Sequence, residues 1–222
     1  MTVAAASRPV TGVAWAVLVL GLWLWNREAG EGPGRSSGPV TGDIAAVGRP
    51  YGAELPPAHA PITPAEPRRL EIPSLGIAAP VVPRGLDAAG AIDPPPYETP
   101  GTVGWFAPGT RPGVAGAALF VGHVDTETRP AVFYGLSAAR PGAKVRITRT
   151  DGTVAEFTVD DVQVFPRDRF DPAKAYGPRD PDRPELRLIT CGGTFDRATG
   201  TYTANVVVSG YLTATEKAPA DD

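Results

Sequence analysis

The residue types that could perform acyl-transfer chemistry are scarce in this sequence. It contains a single cysteine, Cys191, and two histidines, His59 and His123. Cys191 and His123 each follow an apolar run, residues 185–190 for the cysteine and residues 117–121 for the histidine. A thiol is a weak nucleophile until it ionises, and a neighbouring imidazole or guanidinium can promote that ionisation. Cys191 and His123 are therefore a candidate pair for nucleophilic catalysis.

Each of these two residues also has a purely structural interpretation. A single cysteine in an apolar strand is most often a small buried hydrophobic residue. The adjacent Gly192 and Gly193 allow close backbone approach, and the strand is expected to end at Cys191. Both features favour a reactive thiol. His123 could equally complete a turn with Asp125, and the residues alone leave the two interpretations evenly balanced.

The composition limits what the rest of the molecule can be. The chain has 222 residues, of which 42% are hydrophobic, enough for one domain with a core. A net charge of -3 gives no electrostatic basis for nucleic-acid binding. One cysteine and two histidines cannot complete a Cys/His zinc site. Neither a metal nor another cofactor is expected.

The N-terminal part of the sequence predicts a membrane anchor and a linker. Residues 10–25 form an uncharged run, slightly shorter than the roughly 20 residues that a straight membrane-spanning helix needs. We interpret it as a signal-anchor that leaves residues 1–9 in the cytoplasm and exports the remainder. A cleaved signal peptide is the alternative. Residues 26–67, rich in proline and glycine, predict an extracellular linker that contains His59.

The remaining sequence predicts a mainly β domain over residues 68–214. Short strand-like segments follow one another with few helical signals, and Thr150-Asp151-Gly152 predicts a hairpin with a type I′ turn. About eight strands in a domain of this size indicate a closed or nearly closed β-barrel. The acidic residues 215–222 predict a disordered tail.

Two motifs around the candidate pair resemble those of a known family. LITC (residues 188–191) resembles the Leu-x-Thr-Cys motif of sortases, the cysteine transpeptidases of Gram-positive bacteria. VGHVDT (residues 121–126) resembles their histidine segment, and the resemblance extends over residues 68–212. The stretches IPSLGI, GWFAPG and TCGGTFD and the Y-x-x-N-V-V run (residues 202–207) are most similar to the class F or class E branch.

The resemblance implies a fold, a reaction and a setting. It implies an eight-stranded barrel, working as a monomer outside the cell membrane. Cys191 would attack the threonine carbonyl of an LPxTG-like sorting signal and form a thioacyl-enzyme. An amine from a cell-wall precursor or a pilin lysine would then resolve it. His123 would exchange protons with the leaving and entering amines, and Thr190 would help to position the substrate or the oxyanion.

The third residue of the family's site is the least clear in this sequence. Sortases carry an arginine on or before the strand that follows the cysteine, and that position holds Asn205 here. Arg197 is the only arginine between Cys191 and the end of the chain. We therefore predict that Arg197 donates to the oxyanion or substrate. Asn205 could supply a neutral hydrogen bond instead, and Arg167 or Arg169 could also reach the site.

Two other functions remain open from the sequence. A Cys-His peptidase could hydrolyse its acyl-enzyme rather than transfer it. A non-catalytic, membrane-tethered β-domain could bind wall polymer or a partner protein, and its thiol would be inert. L,D-transpeptidases also use an exported cysteine, but their Ser-x-Gly-Cys-x-Arg context is absent.

Overall fold

A computed structural model of the protein describes residues 54–88 and 90–218. The predicted cytoplasmic segment 1–9, the signal-anchor 10–25 and the first part of the linker lie outside these residues. Over the part that is described, no helix is both long enough and apolar enough to cross a membrane.

The predicted closed eight-stranded barrel is confirmed. Around the barrel the strand order is β1-β2-β3-β4-β7-β8-β6-β5, and β5 pairs with β1 to close it. Two neighbouring pairs, β2 with β3 and β4 with β7, are parallel, and the others are antiparallel. The strands are β1 (Pro67–Ile72), β2 (Ile77–Arg84), β3 (Val103–Phe106), β4 (Gly116–Val121), β5 (Lys144–Arg149), β6 (Thr153–Pro166), β7 (Pro184–Asp196) and β8 (Thr201–Lys217).

Helical structure is confined to short segments in the described residues. They are one α-helix, α1 (Pro172–Tyr176), and 3-10 turns at Pro73–Leu75, Leu136–Ala138 and Arg167–Arg169. The Asp171 carboxylate caps α1 by accepting the backbone N–H of Ala173 at 3.1 Å.

Alternation along β7 divides its side chains between two apolar clusters. Leu186 and Leu188 are fully buried in the main core inside the barrel. Ile189 belongs instead to a second cluster with Val121 and Val207. Successive side chains of a strand point to opposite faces of the sheet, so this second cluster lies on the outer face of β4, β7 and β8. Cys191 shares the outer face with Ile189.

A buried ion network fixes the connection between β6 and β7. Glu185 is fully buried at the start of β7, where Arg187 and Arg183 each donate to its carboxylate at 2.6 Å. Arg187 also donates to the carbonyl of Gly177 at 2.8 Å. Buried charges persist where they are paired and hydrogen-bonded. The network therefore holds the segment that follows the Arg167–Arg169 turn against the barrel.

The predicted linker and tail boundaries need correction at both ends of the domain. Residues 54–66 pack on the barrel: the His59 N–H donates to the Leu212 carbonyl at 2.8 Å and Ile62 packs against the core. Arg149 donates to the Thr63 carbonyl at 2.7 Å. At the other end β8 continues to Lys217, because its last residues pair with β6. Residues 215–217 therefore belong to β8.

The hairpin between β5 and β6 forms where predicted, but not with a type I′ turn. That turn needs positive φ at two residues, and only Gly152, with φ of 75°, adopts it among the described residues of the hairpin. The Gly152 N–H donates to the Arg149 carbonyl at 3.2 Å. The Asp151 carboxylate accepts the N–H of Thr153 at 3.1 Å and so stabilises a different tight turn.

Gly122, directly after β4, tests how tightly the end of this strand is packed. A Cβ at Gly122 would lie 2.7 Å from side-chain atoms of both Val132 and Phe133. We expect Gly122→Ala to lower the free energy of unfolding by about 1–3 kcal/mol because the fully buried Phe133 must move. Gly135→Ala is the matched control, since a Cβ there meets nothing within 4 Å. Urea unfolding measures both, and equal stability of the two variants would contradict the packing.

Candidate active site

The parallel pairing of β4 with β7 aligns His123 with Cys191. Val121 is the register partner of Ile189, and the Gly122 N–H donates to the Ile189 carbonyl at 3.1 Å. His123 and Cys191 each lie two residues beyond the Val121–Ile189 pair. Neighbouring strands run about 4.8 Å apart. We therefore expect the two candidate residues to lie close together at the end of β4.

Cys191 lies within a strand and not beyond its end, which corrects the sequence expectation. β7 continues for five residues past Cys191, to Asp196, and pairs there with β8. The double glycine explains this extension. Gly193 has φ of 78° at a register shift between the strands, and a Cβ on Gly192 would lie 2.6 Å from Val206. The close backbone approach allowed by these glycines is made by β8.

Burial and two opposing charges set the protonation of the thiol. Burial is the largest influence and raises the pKa of Cys191 above its ordinary value. The positive charge of Arg167 lowers that pKa, and the negative charge of Asp125 raises it. Since the net direction is upward, the neutral thiol is the main species at neutral pH. A reactive thiolate forms only when a base takes its proton.

His123 is buried and held by two contacts from the connection between β2 and β3. Its side-chain Nε2 lies 2.7 Å from the Pro95 carbonyl oxygen. The Tyr97 ring stacks on the imidazole, with centroids 4.1 Å apart and planes inclined by 21°. The carbonyl of His123 accepts the Phe133 N–H at 3.0 Å. Both the backbone and the ring of His123 are thereby fixed.

Thr190 and Cys191 are adjacent in sequence but face opposite sides of the sheet. Alternation directs Thr190 to the same side as Leu188, and only 4% of Thr190 is exposed. Within the described residues, its Oγ1 is buried without a hydrogen-bond partner. A buried hydroxyl without a hydrogen-bond partner lowers the stability of the folded state, so its presence indicates a functional role.

Asn205 is the residue directly opposite Cys191. The two are register partners in the antiparallel pair of β7 and β8. Directly opposite residues of an antiparallel pair project from the same face with Cβ atoms about 5 Å apart. The half-buried Asn205 side chain is therefore a near neighbour of the thiol.

The two candidate arginines lie in different places relative to the thiol. Arg197 is exposed in the turn between β7 and β8, after a strand segment that spans up to about 16 Å from Cys191. Arg167, in the 3-10 turn after β6, is the arginine whose charge acts on the Cys191 pKa. It donates to the Tyr202 carbonyl at 3.5 Å. The function predicted for Arg197 requires its side chain to fold back along the hairpin, whereas Arg167 already acts on the thiol.

Asp125 and Tyr202 are two further residues beside Cys191 for which we predicted no catalytic role. The Tyr202 hydroxyl donates to the Asp125 carboxylate. This hydrogen bond is the main cause that raises the pKa of Tyr202 to about 12, and Cys191 contributes to the rise. Phe195 packs edge-on against Tyr202 at 5.2 Å. The only signal in the sequence was the presence of both residues in the motifs around His123 and Asn205.

A groove runs beside the β7–β8 hairpin. It has a volume of about 760 Å³, and its lining includes Arg167, Gly193, Tyr202 and Thr203. Clefts of a few hundred cubic ångströms are typical of ligand sites. Within residues 54–88 and 90–218, no group of three or more His, Cys, Asp or Glu side chains could hold a metal ion.

A closed barrel that carries a cysteine on β7 and a histidine two residues past the end of the parallel β4 has the groups for acyl transfer through a thiol. Comparison with known proteins agrees: the sequence model of the sortase domain matches residues 70–213. The chain belongs to the sortase family, whose members are cysteine transpeptidases. The search of curated proteins found no match to this sequence.

Solved structures show the same fold at low sequence identity. Sortase A of Listeria monocytogenes is 20% identical with a TM-score of 0.51, covering 70% of this chain and 92% of that one. Sortase A of Corynebacterium diphtheriae, a lid mutant, is 18% identical with a TM-score of 0.50, covering 69% and 73%. Sortase C1 of Streptococcus agalactiae is also 18% identical with a TM-score of 0.50, covering 66% of each chain.

The opposing charges beside Cys191 predict opposite changes in thiol reactivity. At about pH 8 the alkylation rate follows the thiolate fraction. We expect Asp125→Asn to accelerate alkylation by iodoacetamide about two- to fivefold, since it removes the charge that raises the thiol pKa. Arg167→Ala should slow alkylation by a similar factor. Arg197→Ala is the matched control and should leave the rate unchanged. A larger effect of Arg197→Ala than of Arg167→Ala would contradict the placement of Arg167.

The unpaired hydroxyl of Thr190 predicts that its removal raises stability and lowers activity. Thr190→Val keeps the side-chain shape and removes a buried polar atom without a described partner. We expect the free energy of unfolding to rise by about 1 kcal/mol. If the hydroxyl contacts the substrate, peptide turnover should fall in the same variant. A loss of stability in urea unfolding would contradict the absence of a partner for Oγ1.

Proposed function

We propose that this sortase cleaves an LPxTG-like sorting signal between threonine and glycine and transfers the acyl group to an amine. The observation that carries the proposal is the parallel register of β4 and β7, which aligns His123 with Cys191. Membership of the sortase family supports the transpeptidase reaction.

The first half-reaction makes a thioester. His123 accepts the proton of the Cys191 thiol, and the sulfur attacks the threonine carbonyl carbon to form a C–S bond. The bond from that carbon to the glycine nitrogen breaks, and the imidazolium gives its proton to the leaving amine. The raised pKa of the thiol makes this proton transfer necessary, because few Cys191 side chains are ionised beforehand.

The second half-reaction releases the acyl group to an acceptor. The acceptor amine attacks the thioester carbon and its proton passes to His123. The C–S bond then breaks, and the thiolate takes back a proton from the imidazolium. The enzyme returns to a neutral thiol and a neutral imidazole. With water as the acceptor, the same steps would give hydrolysis.

Donors for the oxyanion come from the residues around the thiol. We assign this role to Arg167, because its positive charge already acts on Cys191. Asn205, opposite Cys191, is placed to add a neutral hydrogen bond. Thr190 offers a hydroxyl from the other face of β7 only if the substrate approaches that side. Arg197, at the tip of the hairpin, is the alternative to Arg167 and belongs in the same test.

The setting of the reaction is proposed from the sequence. The apolar residues 10–25 would anchor the enzyme in the cell membrane with the barrel outside, as a monomer without a cofactor. Its partners would be proteins with a sorting signal and an amine of a cell-wall precursor or a pilin lysine. The stretches IPSLGI, GWFAPG and TCGGTFD favour the class F or class E branch.

A fluorogenic LPxTG or LAxTG peptide tests the proposed reaction. We expect the purified protein to cleave it between threonine and glycine, and Cys191→Ala to abolish cleavage. His123→Ala should lower kcat/KM by about a thousandfold or more, because the thiol loses its base. Arg167→Ala should lower it by about a hundredfold, with Arg167→Lys less affected and Arg197→Ala close to the parent enzyme.

Added amine separates the alternative functions. With triglycine or diaminopimelate present, a transpeptidase gives a product extended by the amine. A product that is only hydrolytic at saturating amine would identify a Cys-His peptidase instead. A thiol whose alkylation follows an unperturbed pH curve, together with no cleavage of any peptide in a library, would identify a non-catalytic wall-binding domain.

A further inference from the structure

We propose that the Pro95 carbonyl and the Tyr97 ring fix His123 in the tautomer that carries its proton on Nε2, so that Nδ1 is the atom that exchanges protons in the reaction. Pro95 and Tyr97 are positioning residues, since they act through His123 and not on the reacting atoms. The inference deepens the proposed function and rests on it for the role of His123.

The hydrogen-bond chemistry determines which nitrogen is the donor. A carbonyl oxygen only accepts hydrogen bonds, so the 2.7 Å contact to Pro95 requires a proton on Nε2. A neutral imidazole carries one N–H, which leaves Nδ1 with its lone pair. His123 is 9% exposed, so losing this bond in exchange for a water molecule would be costly. The contact therefore selects one tautomer of the neutral ring.

The chain before Pro95 holds its carbonyl in place. Arg84 at the end of β2 forms an ion pair with Asp93 and donates from Nε to the Asp93 carbonyl at 3.2 Å. The Asp93 N–H donates to the Gly85 carbonyl at 3.1 Å. Pro95 also packs against β3, where a Cβ on Gly104 would lie 3.2 Å from its Cδ. The acceptor is thus attached to two strands of the barrel.

The chain after Pro95 is tied to the segment that follows His123. A turn closes where the Thr99 N–H donates to the Pro96 carbonyl at 3.0 Å. The Val132 N–H then donates to the Pro100 carbonyl at 2.7 Å. Phe133, the next residue, donates to the carbonyl of His123 itself. The acceptor and the imidazole are therefore fixed in one hydrogen-bonded unit.

Tyr97 adds a constraint on the orientation of the ring. Its stack on His123 at 4.1 Å opposes rotation of the imidazole about the Cβ–Cγ bond, which would replace Nε2 by Cε1 beside the Pro95 carbonyl. The stack involves the ring and not the hydroxyl, and 64% of Tyr97 remains exposed. A phenylalanine should preserve the stack, and an alanine should abolish it.

The tautomers of the two histidines can be measured in the intact chain without any substrate. Long-range 1H–15N spectra of the imidazoles at alkaline pH distinguish a proton on Nδ1 from one on Nε2. His59 is a matched internal control, since its Nδ1 lies 2.7 Å from the Ala60 carbonyl and predicts the opposite tautomer. His59→Gln assigns the signals. We expect the Nε2–H form for His123, and a predominant Nδ1–H form would overturn the proposal.

Substitution of Tyr97 tests the second contact. We expect Tyr97→Ala to lower kcat for peptide cleavage about tenfold with KM within about twofold, and to leave a mixture of the two His123 tautomers. Tyr97→Phe should restore both kcat and the single tautomer. A rise in KM with kcat unchanged would identify a substrate contact and overturn the positioning role, as would an unaltered tautomer in Tyr97→Ala.

The two proposals can fail separately. An Nε2–H signal in a protein that cleaves no sorting peptide would leave the positioning of His123 intact and reject the proposed reaction. Peptide cleavage that depends on His123, in a protein with an Nδ1–H signal, would reject the positioning and leave the reaction intact.

Discussion

The parallel pairing of β4 with β7 is the contact on which the arrangement of the site depends. Parallel neighbours cannot be joined by a tight turn and need a long crossover, which here is residues 122–183 and includes β5, β6 and α1. The pairing aligns Val121 with Ile189. Any slip by one residue would turn Cys191 towards the core and place Thr190 on the outer face. The register is held by the burial of Leu188 on one face and Ile189 on the other.

Three separate segments bring charge and hydrogen-bonding groups to this pair. Arg167 comes from the end of β6, Asp125 from the chain after His123, and Tyr202 from the start of β8. Tyr202 connects the other two, because its hydroxyl donates to Asp125 and its carbonyl accepts from Arg167. Burial keeps the thiol of Cys191 neutral in the resting enzyme. In the proposed reaction His123 is the base for this thiol, and the β2–β3 connection holds its ring through Pro95.

Local patterns in the sequence were enough to predict the barrel, because alternation and apolar runs are properties of single strands. The expected pairing of His123 with Cys191 was based on two strand ends, although β7 in fact runs on to Asp196. The bulge at Gly193 that allows β7 to continue depends on pairing with β8, which no local pattern records.

The choice of Arg197 over Arg167 as the third site residue was limited in the same way. Arg167 is near the thiol only through the β6–β8 pairing, whereas Arg197 is near in sequence. Residues 54–66 look like a linker in composition, but Ile62 packs against the core and the Thr63 carbonyl accepts a hydrogen bond from Arg149.

Intact-mass analysis of the enzyme mixed with a sorting-signal peptide, in the absence of an acceptor amine, tests most directly whether Cys191 is the nucleophile that His123 serves. The expected result is a single adduct with the mass of the peptide up to its threonine, attached at Cys191 and released by an added amine. His123→Ala should accumulate little of it. A folded enzyme that cleaves the peptide without any adduct at Cys191, or with an adduct on another residue, would contradict the mechanism.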